Sequence, residues 1–580
     1  MIRNLVLLLI MSLWIVATPH AIVTNFTDST DKAGVPGTGV GNGIAFADYD
    51  SDGDLDLYVS SDPHDILYRN NNDGTFEDVT DAAGISIAGD GVAAAFGDYD
   101  NDSDLDLYIS VNDGWDIFFQ NEGNGTFVDI SAEIGISNPD RARSASFADF
   151  DRDGFLDIYV ANEDAANILY RNINGSKFIN VAEEMNVGHQ GSGRCSVWLD
   201  YDNDDDLDLY VTNKGSVNAL YRNEGSRFRN VTELTGVEGM GNSTGVDVAD
   251  YDNDGYLDIC VDGDQTYLYH NNGDGTFTDV AAEAGVSHSG RESTPAFGDY
   301  DNDGNTDLYL AVWNGEAVMY RNNGDGTFED VTEEANLGAS GSSWSAVFAD
   351  YDSDGDLDLY TSYTTRENIL YQNNGNDNNW LQIKMLGGVS NRDGIGTRIE
   401  ITVGGEFQIR EVMASSGYGS QDSLDVEFGL GENTVAEVVE IKWPSGIVTR
   451  WKDVQANRMM VAEENFLAVE TTEHQESSSE ITASSKPCLL PNYPNPFNPE
   501  TWIPFRLADQ ADVSIKIYDV SGHLVRTLRV GHRQPGEYKS KGESAHWDGR
   551  SDAGEIVAAG IYFYQIIAGN FTQTRKMVLR

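Results

Sequence analysis

The chain has 580 residues and carries 96 Asp and Glu against 36 Lys and Arg, a formal charge of −60. That charge repels nucleic acid and anionic membranes and attracts divalent cations. With 40% hydrophobic and 10% aromatic residues, the composition also excludes a disordered chain and supports a packed core.

At the N-terminus, Arg3 precedes an apolar run from Leu5 to Ala17, and a short polar stretch leads to Ala21. This is the layout of a secretory signal peptide over residues 1–21. The run is shorter than the roughly 20 apolar residues that a membrane-spanning helix requires. No second such run follows, so the expected protein is exported, extracellular or on a bacterial cell surface, without membrane insertion. Cys195, Cys260 and Cys488 lie far apart and form no CxxC pair, which argues against a disulfide framework or a zinc site.

One acidic phrase then recurs seven times, beginning at Asp48, Asp98, Asp149, Asp200, Asp250, Asp299 and Asp350, in steps of 49 to 51 residues. A fixed period of this size marks a repeat architecture. Each period reads as four short strands: a small-residue run such as GIAFA, an alternating run such as LDLYVS, an LYRN-type run, and a Phe-x-Asp/Asn run after an Asp-Gly or Asn-Gly turn. Four strands per period is the content of one propeller blade. The last pattern begins at Phe26, Phe76, Phe127, Phe178, Phe228, Phe277 and Phe328, so its first copy precedes the first acidic loop. The seventh blade lacks its own fourth strand, and residues 26–30 are predicted to supply it and close a seven-bladed ring over residues 24–377.

Each acidic loop has aspartates at relative positions one, three, five and nine. Blade one offers Asp48, Asp50, Asp52 and Asp56, blade two Asp98, Asp100, Asp102 and Asp106, and blade three Asp149, Asp151, Asp153 and Asp157. Blade four offers Asp200, Asp202, Asp204 and Asp208, and blade five Asp250, Asp252, Asp254 and Asp258. Blade six offers Asp299, Asp301, Asp303 and Asp307, and blade seven Asp350, Asp352, Asp354 and Asp358. Hard oxygen donors on a tight loop suit calcium, which takes about six to eight of them in flexible geometry. Position twelve is never acidic, which excludes EF-hand loops. Position six, where a sharp turn favours positive φ, is glycine except at Ser103 and Asp205, and the second site is expected to be the weakest.

These loops and the repeat around them resemble the FG-GAP/VCBS family over residues 24–377. The resemblance implies a propeller whose loops between the first two strands of each blade coordinate calcium through the aspartates named above.

Residues 378–464 leave the repeat. Trp380, the SNRDG run at Ser390, Tyr418 and Gln421 of GYGSQ, Gly429 and Gly431 of FGLG, and Trp443, Pro444 and Gly446 of WPSG stand in the order of the ASPIC/UnbV domain, which this segment resembles. The pairing is that of cartilage acidic protein-like proteins. SNRDG and GYGSQ are read as turn structure rather than a catalytic site. Residues 465–488 are rich in Glu, Ser and Thr and read as a flexible linker.

Residues 489–580 open on NYPNPFNP, whose prolines forbid helix, and continue through Trp547, Asp548, Gly549, Gly554, Gly560, Tyr562 and Lys576. This segment resembles the C-terminal sorting domain of type IX secretion, related to the flagellar-hook-capping Ig-like sandwich. The resemblance implies engagement with a secretion machinery. The whole chain is thus expected to be all-β: a seven-bladed propeller, a small β-rich domain and a C-terminal Ig-like sandwich.

No GxSxG, HExxH or Cys/His arrangement appears, the nine histidines are scattered, and no catalytic constellation stands out. The sequence therefore reads as a secreted or cell-surface calcium-binding module for glycans or other extracellular molecules, the alternative being a calcium-dependent polysaccharide lyase or hydrolase. Six residues before each loop stand Asn42, Val92, Arg143, Arg194, Thr244, Ser293 and Trp344, predicted to ring the channel mouth on the face opposite the loops. Arg143, Arg194 and Arg291, with Trp313 and Trp344, are candidates there for an anionic glycan or an acidic protein segment.

Overall fold

A computed structural model describes residues 26–464, apart from 38–39, 63, 88–90, 113, 240 and 287–290, then 471–472, 488–489 and most of 501–579. The segment read as a signal peptide, nearly all of the segment read as a linker and the NYPNPFNP segment lie outside the described residues.

Seven four-stranded antiparallel sheets succeed one another along the chain. In blade three the strands are Arg141–Ala148, Asp157–Glu163, Ile168–Asn172 and Phe178–Asn180, hydrogen-bonded in sequence order. The first strands are small and apolar because they crowd side by side around the axis, each touching the first strands of its neighbours. The ring closes as the Phe register predicts. Phe26–Asp28 pairs with Ile369–Asn373, Phe26 facing Asn373, as the fourth strand of the seventh blade.

Two repeated contacts hold blade to blade. The aromatic residue at loop position two packs on the fourth-strand Phe of the next blade, as in Tyr49–Phe127 at 5.7 Å, Tyr251–Phe328 at 5.6 Å and Tyr351–Phe76 at 5.7 Å between ring centroids. The Asn ending each third strand ties the blade to the one before. Asn70 donates its side-chain amide to the Leu55 carbonyl at 3.0 Å and to the Tyr351 carbonyl at 2.8 Å, bonding blade one to blade seven. Asn121, Asn172, Asn223, Asn271, Asn322 and Asn373 repeat the arrangement. Buried amides satisfied in this way cost little and fix the angle between sheets.

The next domain, here the cap, has a three-stranded sheet in which Asn379–Leu386 lies antiparallel to Val426–Gly431 and parallel to Arg458–Glu463. Its larger sheet joins Arg398–Val403, Glu406–Glu411, Val435–Lys442 and Val448–Gln455. The cap core merges with that of blades two and three in one hydrophobic cluster. Residues 501–579 form a separate β unit. Its four-stranded sheet includes Ala511–Asp519 and Gly560–Ala568, and its core is built on the fully buried Trp547 and Tyr564. Cys195 and Cys260 are buried and free.

Candidate metal centres and the capped channel

Each acidic loop turns between the first and second strands of its blade, and its geometry follows from local hydrogen bonds. The position-one carboxylate accepts the amides of positions five and six in six blades, as Asp149 does from Asp153 and Gly154, both at 3.0 Å. The position-nine carboxylate, at the start of the buried second strand, accepts the amide of the third-strand Asn, as Asp157 does from Asn172 at 2.7 Å. Position five is exposed in all seven loops and accepts the amide of position seven. Position six has the positive φ the turn requires, +98° at Gly53 and +89° at Gly154, and Ser103 and Asp205 adopt it too, at +82° and +68°.

Positions one, three and nine converge. In Asp48–Asp50–Asp56, Asp98–Asp100–Asp106, Asp149–Asp151–Asp157 and Asp200–Asp202–Asp208, one carboxylate oxygen from each lies within 4.8 Å of the others. Position-three oxygens of Asp50, Asp151, Asp202, Asp252, Asp301 and Asp352 are buried without a hydrogen-bond partner. Burial and neighbouring carboxylates push the loop carboxyls up, Asp56 and Asp149 to about 9 and about 8, and Asp350 to about 7. Converging, unpartnered carboxylate oxygens form clusters able to hold a metal ion, and the donor set fits a hard cation.

Sequence reasoning missed a further residue at four of the sites. In four blades the third letter of the LYRN-type run reaches the loop beside it, whereas Arg69, Arg222 and Arg321 pair with Glu77, Glu224 and Glu329. Gln120 donates to Asp100 at 3.3 Å, Gln372 to Asp352 at 2.6 Å, and Arg171 pairs with Asp151 at 2.5 Å. In blade five this residue is His270, whose Nδ1 lies 3.2 Å from Asp252 and 3.4 Å from Asp258, so that the cluster there is Asp252–Asp258–His270. A variable letter inside an invariant phrase was the available signal.

The cap sits on this loop face and touches all seven blades. Lys384 pairs with Asp48 at 3.1 Å, and Asp393 accepts the Asp98 amide at 2.7 Å. The Val389 carbonyl packs on Gly154, and Glu411 accepts the Asp200 amide at 3.4 Å. Arg398 donates to the Gly255 carbonyl at 2.8 Å, the Gly431 amide to the Asn302 carbonyl at 2.9 Å, and Trp380 packs on Gly355.

From the cap, the GYGSQ turn enters the channel. Gln421 donates its amide to the Ile44 carbonyl at 2.9 Å and its side chain accepts the Phe96 amide at 2.6 Å. Ser420 shares a hydrogen bond with Ser345 at 2.7 Å, and the Gly417 carbonyl accepts the Cys195 thiol at 2.6 Å. Tyr418, 1% exposed, reaches the predicted ring, edge-on to Trp344 at 5.3 Å and 3.4 Å from Arg194. Around that mouth Arg141, Arg143 and Arg194 all pair with Glu163, whose carboxyl they hold below its usual range against the effect of burial. Three guanidiniums share one carboxylate. Trp313 stacks edge-on against Trp344 at 5.5 Å, and the side chains of Asn42, Arg291 and Ser293 lie outside the described residues.

Fold and loops together define a repeat protein of the β-propeller class, joined to a cap and an Ig-like module. The chain belongs to the FG-GAP-like repeat family, which matches residues 48–109, 104–160, 153–211, 200–261, 259–310 and 299–361. The ASPIC and UnbV family matches residues 387–466, and the FlgD Ig-like domain matches residues 497–570. Cartilage acidic protein 1 of Mus musculus and of Homo sapiens are each 32% identical over 117 residues, which is 19% of this chain and 18% of theirs. The chain therefore spans under a fifth of the length of those curated relatives. Among solved structures, an Agrocybe aegerita lectin that recognises non-reducing terminal N-acetylglucosamine is 19% identical, with a TM-score of 0.38, over 58% of this chain and 94% of that one. Saccharomyces cerevisiae Sqt1 is 11% identical, with a TM-score of 0.39, over 61% of this chain and 98% of that one. These two concern the fold alone. The propeller with its UnbV domain is the architecture of a binding module. Among the described residues no helix is long and apolar enough to cross a membrane.

Proposed function

We propose that the chain is an extracellular, calcium-binding adhesion module, exported by its N-terminal signal and engaging a secretion machinery through its C-terminal Ig-like domain. The observation that carries calcium is the buried, unpartnered position-three oxygen found in six loops, beside the carboxylates of positions one and nine. Because the cap rests on all seven loops, calcium acts as the floor on which the cap is set. The surface left for a partner is the opposite mouth of the channel, where Arg141 is exposed beside the largely buried Arg143–Arg194–Glu163 cluster and Trp115 is 62% exposed. Guanidinium forks bind carboxylates and sulfates, and aromatic faces stack on sugars, so the ligand is an anionic glycan or an acidic protein segment.

A glycan array probed in millimolar calcium and again in chelator tests this reading. The expected result is calcium-dependent retention on sulfated or uronate-bearing glycans. Retention identical in chelator removes calcium from the function, and binding confined to neutral glycans removes the arginine mouth.

A further inference from the structure

The first strands of the blades carry one residue that breaks the repeat. Three positions before the loop stand Ala45, Ala95, Ser146, Val197, Ala296 and Val347, but in blade five the residue is Asp247. It is 2% exposed, and its two oxygens accept only backbone amides, Val248 at 2.9 Å and Phe297 at 2.8 Å. A carboxylate stands here at the axis of the propeller among alanines, valines and a serine.

Asp247 opens on a cavity of about 110 Å³ between the propeller axis and the cap. Five further acids line it, Asp299 from blade six and Glu411, Asp422, Asp425 and Glu427 from the cap, against the single cation Arg410. Arg410 donates to its neighbour's Ile409 carbonyl at 2.8 Å and lies over the Phe428 ring at 5.4 Å. Two oxygens in this wall, Glu411 Oε1 and Asp422 Oδ1, are buried without a hydrogen-bond partner, and Glu411 is only 7% exposed. Asp247 lines the cavity from the propeller and Asp422 from the cap. Buried carboxylates that outnumber their counter-charge are costly, and the space exceeds what one ion with its water needs.

We propose that this cavity is a further cation site, in which a hard divalent ion is held between Asp247 of the propeller and Asp422 of the cap. Its ligands come from two domains, so it cross-links them, whereas each loop site lies within one blade. Calcium suits it, with carboxylate oxygens on both sides and room for water to complete the shell. The site shares the wall residue Asp299 with the sixth loop, while Asp247 and Asp422 belong to no loop.

Calcium stoichiometry of the full chain tests it, by equilibrium dialysis of the parent, Asp247→Asn and Asp422→Asn, with Asp151→Asn as the loop control. One equivalent fewer in each of the first two variants, with the cap more open to protease in both, is the expected result. Unchanged stoichiometry in both, with greater stability than the parent in chelator, overturns it, since the acids are then paired by shared protons. Should Asp247→Asn not fold, Asp247→Ala restores the residue of three other blades and is read in the same way. Loss of calcium in Asp151→Asn alone supports the loops while sinking the cavity, so the two readings fail separately.

Discussion

Arg392 of the cap donates from Nε to Ser103 Oγ at 3.1 Å, bonding the residue that replaces glycine in the second loop. The same turn gives its Arg392 amide to Asn101 at 2.8 Å and takes the Asp98 amide on Asp393 at 2.7 Å. The departure from the loop pattern is thus matched to a cap residue. Ser103 carries a φ of +82°, which costs a residue with a Cβ about 1–2 kcal/mol. Ser103→Gly removes both the strain and the hydrogen bond. The expected outcome is a gain in calcium affinity at the second loop of up to about tenfold, since 1.4 kcal/mol is about one decade. It comes with faster hydrogen exchange over residues 387–393. Arg392→Ala should reproduce the exchange without the gain, and calorimetric titration showing no change of affinity in Ser103→Gly refutes the strain argument.

On the proposed function, calcium and protons compete for the same loops, which fixes the sign of the pH dependence. In the metal-free fold, burial raises Asp56 from 3.8 to about 9, Asp149 to about 8 and Asp350 to about 7. The folded state then binds more protons than the unfolded state from about pH 4 to about pH 9, so stability in chelator falls as pH rises through that window. Calcium reverses this, because it stabilises only the folded loops, by about 2.7 kcal/mol per site at a hundredfold excess over Kd. Scanning calorimetry should show a calcium-induced rise in Tm that is larger at about pH 8 than at about pH 6. A Tm in chelator that climbs between about pH 5 and pH 8 contradicts the burial of these acids.

The blades were legible because period, turn chemistry and aspartate spacing repeat, so each copy corroborates the others. The closing strand was legible for the same reason, through the single Phe26 that precedes the first loop. The cap's seat was not. Lys384, Asp393, Arg398 and Glu411 each meet a different loop, and nothing in the sequence gives unique residues a period. GYGSQ read as a turn, and it is one, but that it fills the channel depends on contacts with Ile44, Phe96, Cys195 and Ser345 scattered over 302 residues. Asp247 could have been found by aligning the blades, since it is the one acid in its column.

Ring closure rests on few atoms. Phe26 is 1% exposed, lies 5.7 Å from Tyr300, and pairs in register with Asn373. Truncating a buried Phe to Ala costs about 3–5 kcal/mol. Phe26→Ala is therefore expected to lower the melting temperature and to expose blade seven first, seen as hydrogen exchange rising over residues 358–373 before any other blade. Deletion of residues 25–30 should do more, leaving Ile369–Asn373 as an open edge. If the truncated chain melts like the parent, closure by this strand contributes nothing.

The channel plug has its own test, in a glycine whose lack of a side chain makes room for it. A Cβ at Gly43 would run into the Gly419 carbonyl of the plug and come within 2.9 Å of the Val92 carbonyl. Both are backbone atoms, so neither can swing aside as a side-chain tip does. Gly43 lies in the first strand of blade one, next to Ile44, whose amide and carbonyl bond Ser420 and Gln421. The small residues there are the imprint of the plug, since a propeller without one is free to fill its channel with larger side chains. Gly43→Ala should leave the four strands of each blade intact and push the plug outward. Tyr418 then loses its contacts with Trp344 and Arg194, and the cap loses the segment that threads it to the axis. The expected reading is unchanged far-ultraviolet circular dichroism, with new proteolytic cleavage within residues 413–422 and faster exchange at Tyr418. Gly419→Ala approaches the same contact from the cap, with a Cβ 2.8 Å from that of Ala93 and a φ of +62°, and should give the same cleavage. Cleavage absent in both variants, with an unaltered Trp344 environment by fluorescence, shows that the turn does not occupy the channel.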